Sequence, residues 1–113
     1  MDEMVYKKLK ERASKNKTIS YSDLVSECHL NLDLSKSKDR NALSEILGEI
    51  ADFEVKQDKP MLSAVVVKKG QNYPSYGFFT YADELKVRKE GESDKELFER
   101  QLKACFEYWR SKI

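Results

Sequence analysis

Two clusters of basic and amide side chains are the residues of this sequence best suited to contact a nucleic acid. The first cluster comprises Lys36, Lys38, Arg40 and Asn41, and the second comprises Lys68, Lys69, Gln71, Asn72 and Tyr73. Lysine and arginine neutralise phosphates, and the side chains at the start of a recognition helix reach base edges. The clusters therefore predict a phosphate-binding surface, and an ordinary solvated basic face is the alternative interpretation.

Catalytic chemistry finds little support in the residue types. His29 is the only histidine, which excludes a metal site with two histidine ligands, and the adjacent Cys28 would leave a helix end in a different direction. Glu84 and Lys86, with Asp58 upstream, match the spacing of many metal-dependent nucleases, but that pattern needs a strand where a helix start is expected. We therefore predict a protein that is not an enzyme.

No metal or cofactor is predicted either. A phosphate-binding loop needs glycines that open a helix directly after a strand. The glycines here are isolated, and none is expected in that position: Gly48, Gly70, Gly77 and Gly91.

Composition indicates one folded domain in 113 residues, of which 36% are charged and 40% hydrophobic. A net charge of +1 gives no overall attraction to nucleic acid or membrane, so any binding must be local. Cys28 and Cys105 are expected to be free thiols in a reducing compartment, without an assigned role. No membrane span or signal peptide is indicated, which predicts a cytoplasmic protein without a membrane partner.

Three helices and an edge strand are predicted in the first half. Val5, Leu9 and Ala13 mark the apolar face of the first helix, and residues 18–20 form the strand. Ser20, with Asp23 three residues later, caps a short second helix. The third helix, about 39–53, has an apolar face at helical spacing: Ala42, Leu43, Ile46, Leu47 and Ile50.

Residues 62–81 predict a β-hairpin with a long tip. The first strand, 62–67, is an apolar run rich in β-branched residues between Pro60 and Gly70. Turn-forming residues fill the loop 70–77, and Gly77, Phe78 and Phe79 begin the returning strand. A short segment, 82–88, then precedes Gly91.

The order of elements predicts an α+β, winged-helix-like fold, with three helices, a β-hairpin wing and a long C-terminal amphipathic helix. Residues 1–81 would form the core of the single domain, 1–113, and residues 82–113 a helical extension. The edge strand would pair with the hairpin. Parallel sheets are disfavoured because strands and crossover helices do not alternate, and a different α+β arrangement of the hairpin and helices is the alternative.

A capping box at Ser93 and Glu96 predicts the start of the last helix. An apolar seam follows it: Phe98, Leu102, Cys105, Phe106, Trp109 and Ile113. The seam packs on the chain's own core or, as the alternative, forms a homodimer through Phe98, Leu102, Phe106 and Trp109.

Three segments carry a resemblance to known proteins: Ile19 to Leu24 (ISYSDL), LSAVVV from Leu62, and GFF from Gly77. They resemble a family of small, largely uncharacterised bacterial and phage-associated proteins with an ITY(S/G)(D/E)L stretch and an LSA(L/V)VV…PGxGFF pattern. Here Pro74 is followed by serine rather than glycine. The resemblance implies a winged-helix-like domain from a phage or mobile genetic element, and it implies no reaction.

Together these observations predict an accessory protein that binds DNA mainly through phosphates. The outward face of the third helix is acidic, however, and carboxylates repel a polyanion. The alternative function is therefore a protein-interaction module that uses the terminal helix or a surface formed by the acidic face and the loop tyrosines: Glu45, Glu49, Asp52, Tyr73 and Tyr76. Packing of these tyrosines back onto the hairpin is the structural alternative.

Overall fold

Helices dominate the computed structural model, which describes residues 1–112. The five α-helices of this described part are α1 (Glu3–Ser14), α2 (Tyr21–Glu27), α3 (Ser37–Val55), α4 (Tyr76–Glu84) and α5 (Asp94–Arg110). Two strands, β1 (Ile19–Ser20) and β2 (Val66–Val67), and a 3₁₀-helix (Leu62–Val65) complete the described secondary structure.

The helix starts follow the capping residues of the sequence. Ser20 accepts a hydrogen bond from Asp23 N at 3.1 Å, and Ser93 and Glu96 form the predicted capping box of α5. In α1, Asp2 accepts from Val5 N at 3.0 Å. Each cap satisfies a backbone N–H that has no partner inside the helix. The predicted caps of α2 and α5 are therefore confirmed.

The winged-helix prediction is wrong. A wing requires an antiparallel hairpin, whereas β1 and β2 are parallel, with Ile19 opposite Val66 and Ser20 opposite Val67. The edge strand does pair with the 62–67 segment, but α2 and α3 form the crossover between the two strands. The expectation that a parallel sheet is disfavoured is wrong as well. A parallel ladder of only two residue pairs can form without the long alternating strands and helices of a larger parallel sheet.

The predicted hairpin is absent from the described residues because its two strands take other conformations. Residues Leu62–Val65 form a 3₁₀-helix, and Phe78 and Phe79 lie in α4. Phe78, Phe79 and Ala82 are buried on one face of α4. This is helical spacing, which the high strand propensity of aromatic residues concealed.

The segment from Met61 to Val67 runs through the middle of the molecule and is buried throughout. Helices α1, α3 and α5 pack against the 3₁₀-helix, and α1 also packs against α5. Two side chains of α5 hold the backbone of the central segment at Met61. Gln101 Oε1 accepts from Met61 N at 2.8 Å, and Cys105 Sγ donates to Met61 O at 3.1 Å. The central segment is thus a core element rather than an exposed hairpin.

The predicted apolar faces are largely buried within the chain. Val5, Leu9 and Ala13 of α1 and Leu43, Leu47 and Ile50 of α3 are in the core, while Ile46 is half-buried. In the seam of α5, Phe98, Cys105 and Trp109 are buried and Leu102 and Phe106 are half-buried. Ile113 lies outside the described residues.

Within residues 1–112, no helix combines the length and the apolar character that a crossing of the bilayer requires.

Candidate functional site

A cavity of about 310 Å³ lies between α3 and α4, beside the end of β2. Its walls come from five parts of the chain, with α3 and α4 supplying most of the side chains. The lining residues are Tyr21, Leu34, Arg40, Leu43, Ser44, Leu47, Gly48, Ser63, Lys68, Ser75, Gly77, Phe78 and Tyr81. The set combines an apolar wall with two cations and several hydroxyl groups, which suits a ligand that is partly apolar and partly anionic.

Two glycines let α3 and α4 approach closely at the cavity wall. A Cβ on Gly48 would lie 2.1 Å from Tyr81 Cζ, and a Cβ on Gly77 would lie 2.7 Å from Ser44 Oγ. Both distances are far below normal contact, so these positions exclude any other side chain without rearrangement. The cavity is therefore bounded by tight helix contacts rather than by loose packing.

The charge lining the cavity has one sign. Arg40 and Lys68 are exposed residues of the lining, which places them where the cavity opens, and no carboxylate from residues 1–112 lines it. Arg40 Nη1 donates to Leu34 O at 2.9 Å, which holds the guanidinium beside the opening. Among the described residues neither cation forms an ion pair, whereas other lysines and arginines do. The cavity is thus set up to attract an anion.

The start of α4 faces this cavity with unsatisfied backbone donors. Ser75 N and Ser75 Oγ both hydrogen-bond to Tyr21 Oη, at 2.9 and 3.1 Å, so the Ser75 hydroxyl does not cap the helix. Within residues 1–112, the N–H groups of Tyr76 and Gly77 meet no acceptor. Burial raises the pKa of the Tyr21 hydroxyl above its ordinary value.

Ser63 adds a buried hydroxyl to the lining. The residue is 7% exposed, and its Oγ makes no hydrogen bond within the described part of the chain. The fully enclosed polar side-chain atoms without a partner in that part are Glu54 Oε2 and Trp109 Nε1. Ser63 Oγ is not among them, so it keeps open surface, and the space beside it is the cavity.

The structure brings parts of the two predicted basic clusters together. Lys36 precedes α3, and Lys38, Arg40 and Asn41 are exposed in its first turns, while Lys68, Lys69, Gln71 and Asn72 are exposed in the loop after β2. Only Arg40 and Lys68 share the cavity lining. A hydrogen bond from Lys68 N to Tyr73 O at 2.8 Å closes the loop into a tight turn.

The two loop tyrosines have different environments. Tyr73 is half-buried, and its ring lies 5.6 Å from that of Phe79 and 5.5 Å from that of Phe98. Tyr76 is 82% exposed at the first position of α4, beside two lining residues, Ser75 and Gly77. Tyr73 thus packs back onto the core, whereas Tyr76 exposes its aromatic ring to solvent.

The acidic face of α3 is largely engaged in ion pairs. Glu49 pairs with the N-terminal ammonium of Met1 at 2.9 Å, and Asp52 pairs with Lys56 at 2.8 Å. Glu45 lies near Tyr81, whose pKa is raised by burial and then by the Glu45 charge. Of the three carboxylates, Glu45 is the one without a cationic partner in the described chain.

The residues considered for catalysis lie apart from this cavity. Cys28 is buried, with a pKa raised by burial, while His29 is exposed at φ 53°. Glu84 ends α4, so it does not occupy the strand that a nuclease site requires. No group of three or more potential metal ligands occurs in residues 1–112.

One buried carboxylate is part of the core rather than of the cavity. Glu54 is fully buried in α3 and accepts a hydrogen bond from the hydroxyl of Tyr6, while its second oxygen has no partner in the described residues. Its charge contributes, after burial, to raising the pKa of Cys105. The hydrogen bond between Tyr6 and Glu54 ties α1 to α3.

Sequence reasoning missed Tyr21, Ser44, Ser63 and Ser75 as site residues, because isolated hydroxyls carry no motif. The prediction that Gly77 begins a returning strand is wrong, because Gly77 lies in the first turn of α4. The signal available was the serine before a Tyr-Gly-Phe-Phe segment with helical apolar spacing.

Compared with known protein families, curated proteins and solved structures, the chain matches none.

Proposed function

We propose that this chain binds nucleic acid, without acting on it as an enzyme, mainly through phosphates and with little readout of base sequence. The observation that carries the proposal is the convergence of Arg40 and Lys68, unpaired in the described chain, on a cavity whose lining has no carboxylate. Two segments far apart in sequence thereby supply positive charge to one place.

The surrounding surface extends this positive region. Lys36 and Lys38 lie just before Arg40, Lys69 follows Lys68, and all of them are exposed. No ion pair within residues 1–112 involves them. Each lysine or arginine that neutralises a phosphate releases condensed counterions, which makes the affinity fall steeply as salt rises.

Tyr76 favours a single strand over a duplex. Its exposed ring belongs to the residue between Ser75 and Gly77, which both line the cavity, and an unpaired base can stack on it. Such stacking contributes about 1–3 kcal/mol per base and needs no particular base. Bases in a duplex are already stacked, so we expect tighter binding to single-stranded than to double-stranded DNA.

The role of an accessory protein of a phage or mobile genetic element rests on the resemblance of the ISYSDL, LSAVVV and GFF segments.

Fluorescence anisotropy with labelled single- and double-stranded DNA of random sequence, at low and near-physiological salt, tests the proposal. We expect micromolar binding that weakens with salt, with a salt slope reduced by about 1 in Lys68→Gln and in Arg40→Gln. Lys95→Gln is the matched control, because it removes the same charge from an exposed position on α5. Absence of binding at low salt, or equal losses in all three variants, contradicts the proposal.

A protein-interaction module is the second candidate, favoured by the exposure of Tyr76 and by Glu45, which has no cationic partner within the described residues. Glu45→Gln separates the two functions. Removing this negative charge leaves nucleic-acid binding unchanged or tighter, whereas an acidic docking surface loses its partner. A pull-down from the host with wild-type protein and with Glu45→Gln measures the second effect.

A further inference from the structure

We infer that the cavity between α3 and α4 binds one nucleoside monophosphate unit, with its phosphate at the start of α4 and its base in the apolar part. This inference rests on the proposed function and names the ligand that the cavity takes. The shared chemistry is a phosphomonoester on a nucleoside, which is supplied by the 5′-phosphorylated end of a strand or by a free nucleotide.

The phosphate position follows from the donors that meet there. The free N–H groups of Tyr76 and Gly77 carry the positive end of the α4 dipole. Arg40 and Lys68 line the same cavity. Two cations together with a helix start suit the dianionic phosphomonoester better than the single charge of an internal phosphodiester.

Ser63 is the independent observation that points to a ligand. Its side chain is more than nine-tenths buried, lacks a protein partner in residues 1–112, and opens on the cavity. Because Ser63 Oγ keeps open surface on the cavity, its hydrogen-bond partner comes from that space: water in the free protein, and a ligand oxygen where a ligand binds. A phosphate oxygen or a sugar hydroxyl is such a partner.

The apolar part of the cavity suits a base. Leu43, Leu47 and Phe78 supply apolar side chains to its lining. At about 310 Å³ the cavity lies at the small end of ligand pockets, which span about 300–1,000 Å³. A cavity at the small end of this range suits one small ligand unit rather than a longer stretch of a strand.

The experiment compares labelled single strands that differ only in a 5′-phosphate or a 5′-hydroxyl, in the wild type and in Ser63→Ala. We expect the 5′-phosphate to tighten wild-type binding about tenfold, which corresponds to about 1.4 kcal/mol. Ser63→Ala should lose most of that gain while keeping wild-type stability in urea, because the hydroxyl has no protein partner to lose. A merely structural serine predicts the reverse, a less stable protein with unchanged discrimination.

Competition separates the two sources of the ligand. A free nucleoside monophosphate that displaces the 5′-phosphorylated strand, while the nucleoside alone and inorganic phosphate do not, supports the inference and identifies free nucleotide as a second source. Failure of the nucleotide to compete, with the 5′-phosphate effect intact, supports the strand end as the source. Equal displacement by inorganic phosphate overturns the placement of the base.

Lys68→Gln and Lys69→Gln form the matched pair of charge variants. Both lysines are exposed neighbours, but only Lys68 lines the cavity. The discrimination between 5′-phosphate and 5′-hydroxyl should fall in Lys68→Gln and persist in Lys69→Gln. Salt-dependent binding that is indifferent to the 5′-phosphate and to Ser63→Ala overturns this inference and leaves the proposed function standing. Absence of strand binding with either end overturns both.

Discussion

Replacing Gly48 by alanine tests whether α3 and α4 are held as closely as the structure indicates. An alanine Cβ would lie 2.1–2.4 Å from three atoms of the Tyr81 ring, whereas carbon atoms normally meet at about 3.5–4.0 Å. The ring must therefore move by more than 1 Å, and overpacking of this kind costs about 1–3 kcal/mol. Alanine regains about 1 kcal/mol through its higher helix propensity. The expected net loss of stability is about 1 kcal/mol.

Urea unfolding of four proteins isolates the contact: the wild type, Gly48→Ala, Tyr81→Ala and the double variant. In the Tyr81→Ala background the ring is absent, so Gly48→Ala should raise stability by about 1 kcal/mol. The same substitution thus changes sign with its neighbour, which is the coupling that a double-mutant cycle measures. A stabilising Gly48→Ala in the wild-type background, or the same effect in both backgrounds, refutes the close approach of the two helices.

Three further outcomes follow from the buried and paired polar groups. Tyr6→Phe removes the hydroxyl that donates to buried Glu54 and should lower the unfolding free energy by about 2–3 kcal/mol in urea titrations; a loss below 0.5 kcal/mol would contradict the buried contact. Hydrogen bonds from Arg100 lower the pKa of Glu92 to about 2, so this pair stabilises the fold above pH 4.5 and its contribution disappears as the pH falls toward 2. Glu92→Gln should therefore flatten the stability profile in that interval, and an unchanged profile would contradict the pairing. Burial raises the pKa of Cys105, so iodoacetamide at pH 8 should label it in urea but not in the folded protein, as peptide mapping can verify.

Helices that carry an amphipathic period or a capping residue were predictable from the sequence. The first and third helices have the apolar period, the second has the capping residue Ser20, the fifth has both an apolar seam and the cap at Ser93, and the structure contains all four. These signals are local because the cap and the apolar face lie within a few turns. The pairing of β1 with β2 was also predicted, but a parallel arrangement was expected to be disfavoured, and the two strands are parallel.

The hairpin error shows where local signals fail. The run of valines ending at Val67 and the Phe78-Phe79 pair both have high strand propensity, but their conformations are decided by what surrounds them. Val65 and Val66 are fully buried among helices, where a 3₁₀ turn and a two-residue strand fit. Phe78 lies in a helix rather than a strand, and its ring packs edge-on against Phe98 of α5 at a centroid distance of 6.0 Å. A contact made across the fold leaves no signal in either segment alone.

The cavity was not predictable for a related reason, since it depends on where two elements meet. The sequence marks Arg40 and Lys68 as basic, but not as neighbours of one opening. Gly48 and Gly77, which looked like isolated glycines, bring α3 and α4 together at Tyr81 and Ser44. These tight contacts form part of the cavity wall. Walls that are already packed lose little conformational entropy when a ligand enters, so a cavity built this way is preorganised for binding.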